Sequence, residues 1–123
     1  MFWCHVREVQ PSQTYLSRKL LERAILTVKG GILRPFPVRR MDGRIVLLDG
    51  HHTAFALVRA GFAYIPCRYD TDPVDMEMYR WAVGWALREG ITSIPALARR
   101  IVSHEDFRRL WVGACEDYKR RLR

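Results

Sequence analysis

The apolar run Ile45-Val46-Leu47-Leu48, bounded by Gly43 and Gly50, limits the possible folds more than any other stretch of the chain. Four consecutive apolar residues between two turn-forming glycines predict a strand buried on both faces. Such a strand needs packing layers above and below it. Beyond it the chain must turn, and Gly50 permits backbone angles that a side chain opposes. Ala54, Phe55, Leu57 and Val58 then recur at helical spacing, which predicts a helix from about His51 to Ala60-Gly61. The free N–H groups and positive dipole end of that helix point at whatever lies above the carboxyl end of the strand. Strand, glycine turn and helix N-terminus together make an expected anion site at Gly50, His51, His52 and Thr53.

With 123 residues, 49% of them apolar, the chain is long enough to bury a core without metal or disulfide staples, and one domain is expected over residues 1–123. Cys4, Cys67 and Cys115 are odd in number and widely spaced, fitting neither a disulfide framework nor a zinc spacing. No stretch approaches the roughly 18 apolar residues of a membrane span, and no charged-then-apolar leader pattern opens the chain. A cytoplasmic protein with no membrane partner is therefore the expectation. The formal charge of +8 favours anionic partners: nucleotides, phosphorylated small molecules or DNA. Charge does not choose among them.

In chain order, a first strand is expected over Phe2–Val9, ended by Pro11, followed by a helix capped by Ser17 and running to Lys29. Pro35 and Pro37 mark an edge or a strand entrance. Phe36–Arg40 and Arg44–Leu48 form a hairpin through Met41-Asp42-Gly43. Tyr64–Tyr69 is a further strand. The first 70 residues thus form a mixed α/β core, and residues 71–123 a helical C-terminal half with three expected helices. Asp72 with Pro73 opens the first of these, Thr92 or Ser93 the second, and Ser103 with Asp106 the third, in a capping-box-like pattern. Trp81, Trp85 and Trp111 fall at core spacing, and Lys119–Arg123 reads as a fraying basic tail.

Asp49, at the end of the buried strand, can take a proton from a hydroxyl or hold Mg²⁺ through water, and it can equally cap the helix it precedes. Adjacent histidines in one helical turn diverge by about 100°, so His51 and His52 do not read as a metal centre. Phosphate contact and polar capping both remain open for them. Arg39, Arg40, Arg44 and Arg68 lie on strands near the motif. Arg99, Arg100, Arg108 and Arg109 surround the turn between the last two helices, a spacing superficially similar to a helix-turn-helix, and form the alternative nucleic-acid surface.

Laid out in this order, the first 70 residues resemble the ParB/sulfiredoxin-like superfamily. Asp49-Gly50-His51-His52 resembles the DGHHR signature of ParB-like free-serine kinases, and Val9-Gln10-Pro11-Ser12-Gln13 with Lys19-Leu20 resembles the opening of small ParB-domain proteins. Residues from Asp70 to Tyr118 are similar to the helical extension of a small bacterial group carrying a DGHTRAFA-type motif. The resemblance implies a small mixed sheet with helices, and a superfamily of nucleotide-dependent kinases, CTP-dependent partition clamps and sulfinic-acid reductases. It implies Asp49 as the base of a phosphotransferase or nucleotide hydrolase, with Mg²⁺ accompanying the nucleotide. Three departures weigh against a full transfer of activity. His51 stands where sulfiredoxins carry their cysteine, Thr53 where an arginine commonly follows the second histidine, and Gln13 where the kinases place a second acidic residue, for which Glu22 is a weak substitute. Whether the chain is catalytic is thereby left open. The alternative implied is a non-enzymatic DNA-associated or protein-interaction module.

Overall fold

The computed structural model describes residues 1–31 and 33–121. The first apolar segment is two strands rather than the one expected over Phe2–Val9: β1 (Phe2–His5) and β2 (Val9–Pro11), separated by a 3₁₀ turn at Val6–Glu8. His5 caps that turn, its Nδ1 accepting from the Arg7 N–H at 3.1 Å. The break lets one stretch of chain serve both edges of the sheet. β3 (Leu16–Ser17) and α1 (Arg18–Lys29) follow, the helix capped by Ser17 and stopped at Gly30-Gly31 as expected. β4 (Phe36–Met41), β5 (Arg44–Leu47), α2 (His51–Arg59) and β6 (Tyr64–Tyr69) complete the α/β part. Sheet order is β1-β6-β4-β5-β2, with β1 antiparallel to β6, β4 parallel to β6 and antiparallel to β5, and β2 parallel to β5. Pro37 lies near the entrance of β4, which is the middle strand and not an edge.

β5 is interior to the sheet, and its alternation feeds two separate cores. Leu47, with Val9, Val38, Ile65 and Cys67, faces α1 and α2. Val46 and Leu48, with Met41, face Val74, Met76, Tyr79 and Val83 around α3 (Met76–Arg88). This is why the run reads as continuously apolar: both sides of it are roofed by helices. The hairpin joining β4 to β5 turns on Asp42 and Gly43 alone, with φ of 50° and 80°, the primed geometry that matches strand twist.

The helical half differs from expectation in several places. α3 is capped by Asp75, whose Oδ1 accepts from the Met78 N–H at 3.0 Å, and not by Asp72. Asp72 is held in the preceding loop: its N–H donates to Asp70 and its carbonyl accepts from Arg39. The second helix is a 3₁₀ segment, Ile94–Arg100, following Ser93 without a side-chain cap bond. The third begins as expected with Ser103 Oγ accepting from the Asp106 N–H, but it comprises α4 (His104–Phe107), a π-helical turn (Arg108–Val112) and α5 (Gly113–Arg121). Lys119 to Arg121 are helical, and the last two tail residues lie outside the described ones. Trp81, Trp85 and Trp111 are half-buried rather than core; Trp111 stacks on both other tryptophans, which are tilted to each other, and Tyr118 stacks on Trp81. A short strand β7 (Ile101–Val102), which the sequence pattern did not signal, pairs in parallel with β3 and fastens this half to the start of α1. Among the described residues no helix is long and apolar enough to cross a membrane.

Gly50 has φ +84°, and a Cβ there would lie 2.9 Å from the Phe36 ring; Gly43 has φ +80° and open space. Both lose stability on substitution by Ala through backbone strain of about 1 to 2 kcal/mol, and only Gly50→Ala adds a steric term. Urea midpoints should therefore fall further for Gly50→Ala than for Gly43→Ala. Equal midpoint losses would show that the Phe36 contact does not constrain the turn.

Candidate functional site

α2 begins directly after Gly50, whose left-handed conformation turns the chain out of β5, and no side chain caps the helix. The first-turn N–H groups of an uncapped helix lack intrahelical partners. Asp49 is exposed, and its Oδ1 accepts from the N–H of Gly50 at 2.8 Å. Gly50 therefore contributes the turn, while its own N–H is taken by Asp49. The donors left at the helix start are those of His51, His52 and Thr53.

Both histidine rings are engaged by the segment between β2 and α1. His51 Nε2 accepts from the Ser12 N–H at 3.0 Å, and His52 Nε2 accepts from the Ser17 N–H at 2.9 Å. Ser12 Oγ also donates to the Leu47 carbonyl at 2.6 Å, so this segment is stitched to the end of β5 and to α2 together. A ring nitrogen that accepts from a backbone N–H is unprotonated, which leaves each imidazole neutral with its proton on Nδ1. Burial agrees with this. His51, 3% exposed, has its pKa lowered to about 3 by desolvation, with His52 adding to the effect. His52 is lowered to about 4, again by desolvation first and by His104 second. The rings thus work as neutral acceptors that position a loop, and their Nδ1–H groups are the remaining donors.

Two cavities meet at the turn. One, of about 340 Å³, lies between Thr27, Arg34, Phe36, Asp49, Gly50 and Thr53. The other, of about 330 Å³, is lined by Gln13, Arg23, Asp49, His51, His52 and Thr53 among others. All five motif residues, Asp49 to Thr53, border the second cavity, which shares Thr27, Asp49, Gly50 and Thr53 with the first. The cations of the two are Arg23 and Arg34, which the sequence reading did not single out. Leu20, Arg23, Ala24 and Thr27 follow helical spacing on α1, so a signal existed, but which face of α1 meets α2 is decided by packing. The strand arginines lie elsewhere: the Arg39 guanidinium holds the Asp70 and Asp72 carbonyls, and Arg40, Arg44 and Arg68 are exposed. Among the described residues no group of three or more His, Cys, Asp or Glu could hold a metal ion.

The four arginines of the alternative surface do not act as a set. Arg100 is drawn inward, donating to the Thr14 carbonyl at 3.2 Å, lying 4.4 Å from the Tyr15 ring centroid and approaching Glu89. Arg109 pairs with Asp106 at 3.3 Å. Arg99 and Arg108 are exposed.

The histidine geometry has a pH consequence. The unfolded chain binds protons on both rings below pH ~6.5, and the folded chain does not until pH approaches about 4 and about 3. Folding stability is therefore full above the unfolded value and falls as pH drops from 6.5 toward 3. For the buried His51 the limiting slope is about 1.4 kcal/mol per pH unit. Urea melts at pH 7.5, 6, 5 and 4.5 should show this loss, and His51→Gln, which keeps an acceptor but cannot ionise, should reduce it. Identical pH dependence in the two proteins would contradict the neutral, buried role of His51.

No protein-family model and no curated protein matches the sequence. Among solved structures, the chain is similar to protein Atu1540 from Agrobacterium tumefaciens, with a TM-score of 0.50 and 16% identity over 73% of this chain and 48% of that one. It is also similar to the C-terminally truncated chromosome-partitioning protein ParB from Caulobacter crescentus, complexed to the centromeric parS site, with a TM-score of 0.49 and 17% identity over 73% and 49%. The chain spans about half the length of both structures. The likeness concerns the fold alone: a mixed α/β fold with a helical C-terminal part.

Proposed function

We propose that this chain binds a phosphorylated small molecule, in its most concrete form a nucleotide, with a phosphate at the first turn of α2. The observation that carries the reading is the convergence of two cavities on Asp49, Gly50 and Thr53, at an uncapped helix N-terminus with Arg23 and Arg34 on the walls. An anion there meets the N–H groups of His51, His52 and Thr53, the Thr53 hydroxyl and the positive end of the helix. The Nδ1–H groups of the two neutral imidazoles are further donors on rings that line the same region.

Asp49 places a negative charge beside that anion, an arrangement that weakens simple binding and suits chemistry. In a phosphotransferase or hydrolase, its carboxylate takes the proton of an attacking hydroxyl or water as the new bond to phosphorus forms and the old phosphorus–oxygen bond breaks. A Mg²⁺ arriving with a nucleotide fits one carboxylate plus phosphate oxygens and water, which matches the single acidic group here, and when bound it neutralises phosphate charge. Asp49 is the residue that would hold it.

Calorimetry with a nucleotide and Mg²⁺, alongside an assay of phosphate release or transfer, tests this. Asp49→Asn should keep or improve binding and abolish turnover. Thr53→Val, losing one charge-assisted hydrogen bond, should bind roughly 10- to 150-fold more weakly. No nucleotide or phosphate bound at millimolar concentration would sink the reading.

The nucleic-acid alternative has its own measurement. With Arg100 drawn inward and the exposed Arg109 partly neutralised by Asp106, Arg99 and Arg108 are the two cations of that cluster with no acidic partner among the described residues. Their share of the log-log salt slope on duplex DNA is about −2, from about −0.9 per phosphate. Replacing both by Ala should remove that share of any binding observed at low salt; a slope unchanged by the replacement would reject the cluster as a DNA surface.

A further inference from the structure

We infer that the helical C-terminal half supplies a second subsite, adjoining the phosphate site, for a compact aromatic or apolar ring on the same ligand. This rests on the phosphate reading above and specifies the ligand class: a phosphoryl group carried on a ring-bearing body. The subsite is a cavity of about 210 Å³ between β5 and the extension, walled by Leu48, Met78, Tyr79, Ala82, Trp111 and Cys115. Gln13 and His51 border both this cavity and the cleft at the start of α2. A ligand that fills both therefore lies against those two side chains.

The chemistry of the wall selects the occupant. Its hydroxyls and one amide proton are engaged internally: Tyr79 Oη donates to the Leu48 carbonyl at 3.2 Å, Ser12 Oγ to the Leu47 carbonyl at 2.6 Å, and Gln13 Nε2 to the Tyr15 carbonyl at 2.9 Å. His51 Nε2 is occupied by Ser12. What remains is mostly apolar surface with few hydrogen-bond donors, which holds water poorly and favours a ring over a sugar or a second charged group. At a bulk share of ~30 Å³ per water, the space corresponds to about seven waters, room for one ring system. Trp111 lies in the π-helical turn, a local widening of the helix of the kind that often accompanies binding sites, and it stacks on Trp81 and Trp85.

Cys115 gives a direct readout. It is half-buried on the cavity wall, whereas Cys4 and Cys67 are buried in the sheet core, and burial pushes its thiol up to about 11. An aromatic disulfide reagent should label Cys115 first, at a slow rate set by access. Phenyl phosphate, inorganic phosphate and phenol are the probes. Phenyl phosphate should bind roughly 10- to 100-fold tighter than inorganic phosphate, as burial of a ring predicts, and should slow Cys115 labelling and shift tryptophan emission. Inorganic phosphate should do neither. Ala82→Leu, which fills the cavity, should erase the advantage of phenyl phosphate while leaving inorganic phosphate binding unchanged; the labelling test on the unmodified protein stands even if that variant does not fold. Equal affinity for the two phosphates with Cys115 unprotected overturns the subsite and leaves the phosphate site standing. Protection by phenol and phenyl phosphate alike, with no competition from inorganic phosphate, supports the cavity and removes the phosphate reading instead.

Discussion

Two neutral imidazoles accepting backbone N–H groups hold this structure together at its centre. His51 and His52 sit side by side at the start of α2 and fix Ser12 and Ser17, the two ends of the segment that leads from the sheet into α1. A buried N–H without a partner costs more than an average hydrogen bond gains, so these acceptors stabilise the segment in one path. Ser17 passes the constraint on: its Oγ caps α1 by accepting from Leu20 and lies 2.9 Å from His104 Nδ1 at the start of α4. Sheet, both packed helices and the C-terminal half are thereby tied to one pair of rings.

The same arrangement explains how the helical half comes to border the motif. β7 pairs with β3, Arg100 reaches the Thr14 carbonyl and the Tyr15 ring, and His52 meets the Phe107 ring edge-on at 5.5 Å. These contacts all fall on residues 14–17 or on α2, so the extension packs where the motif turns rather than along the far end of the sheet. α3 roofs the second face of β5, and its Tyr79 reaches the carbonyl of Leu48, one residue before Asp49. The site is consequently built from both halves of the chain.

With the histidine Nε2 atoms engaged as scaffold, simpler groups face the turn. Backbone N–H donors, a threonine hydroxyl, two arginines and one exposed carboxylate surround the turn. Preorganised backbone dipoles need no reorientation when an anion arrives, which is why a helix start can bind phosphate with few side chains. Asp49 is the group in this set that can accept a proton while remaining exposed to solvent.

The sequence by itself determined the strand–turn–helix at Ile45 to Val58, because apolar periodicity and a glycine between two patterns are local signals. It also determined the Asp42-Gly43 hairpin, the Ser17 and Ser103 caps and the Gly30-Gly31 stop, each fixed by a side chain or backbone angle acting within a few residues. Only the tertiary structure decided what depends on separation in sequence. Phe2 to Val9 divides in two because opposite sheet edges are on offer, and β3 becomes a strand because β7 lies beside it. His51 and His52 become acceptors because Ser12 and Ser17 are brought to their rings from 35 or more residues away. Arg23 and Arg34 enter the site, Arg39 turns to the Asp70 carbonyl, and Arg100 is drawn away from the alternative basic surface, through packing that no local pattern encodes. Short-range hydrogen bonds and periodicity are written in adjacent residues; the partner of a buried polar group is chosen by which surfaces meet.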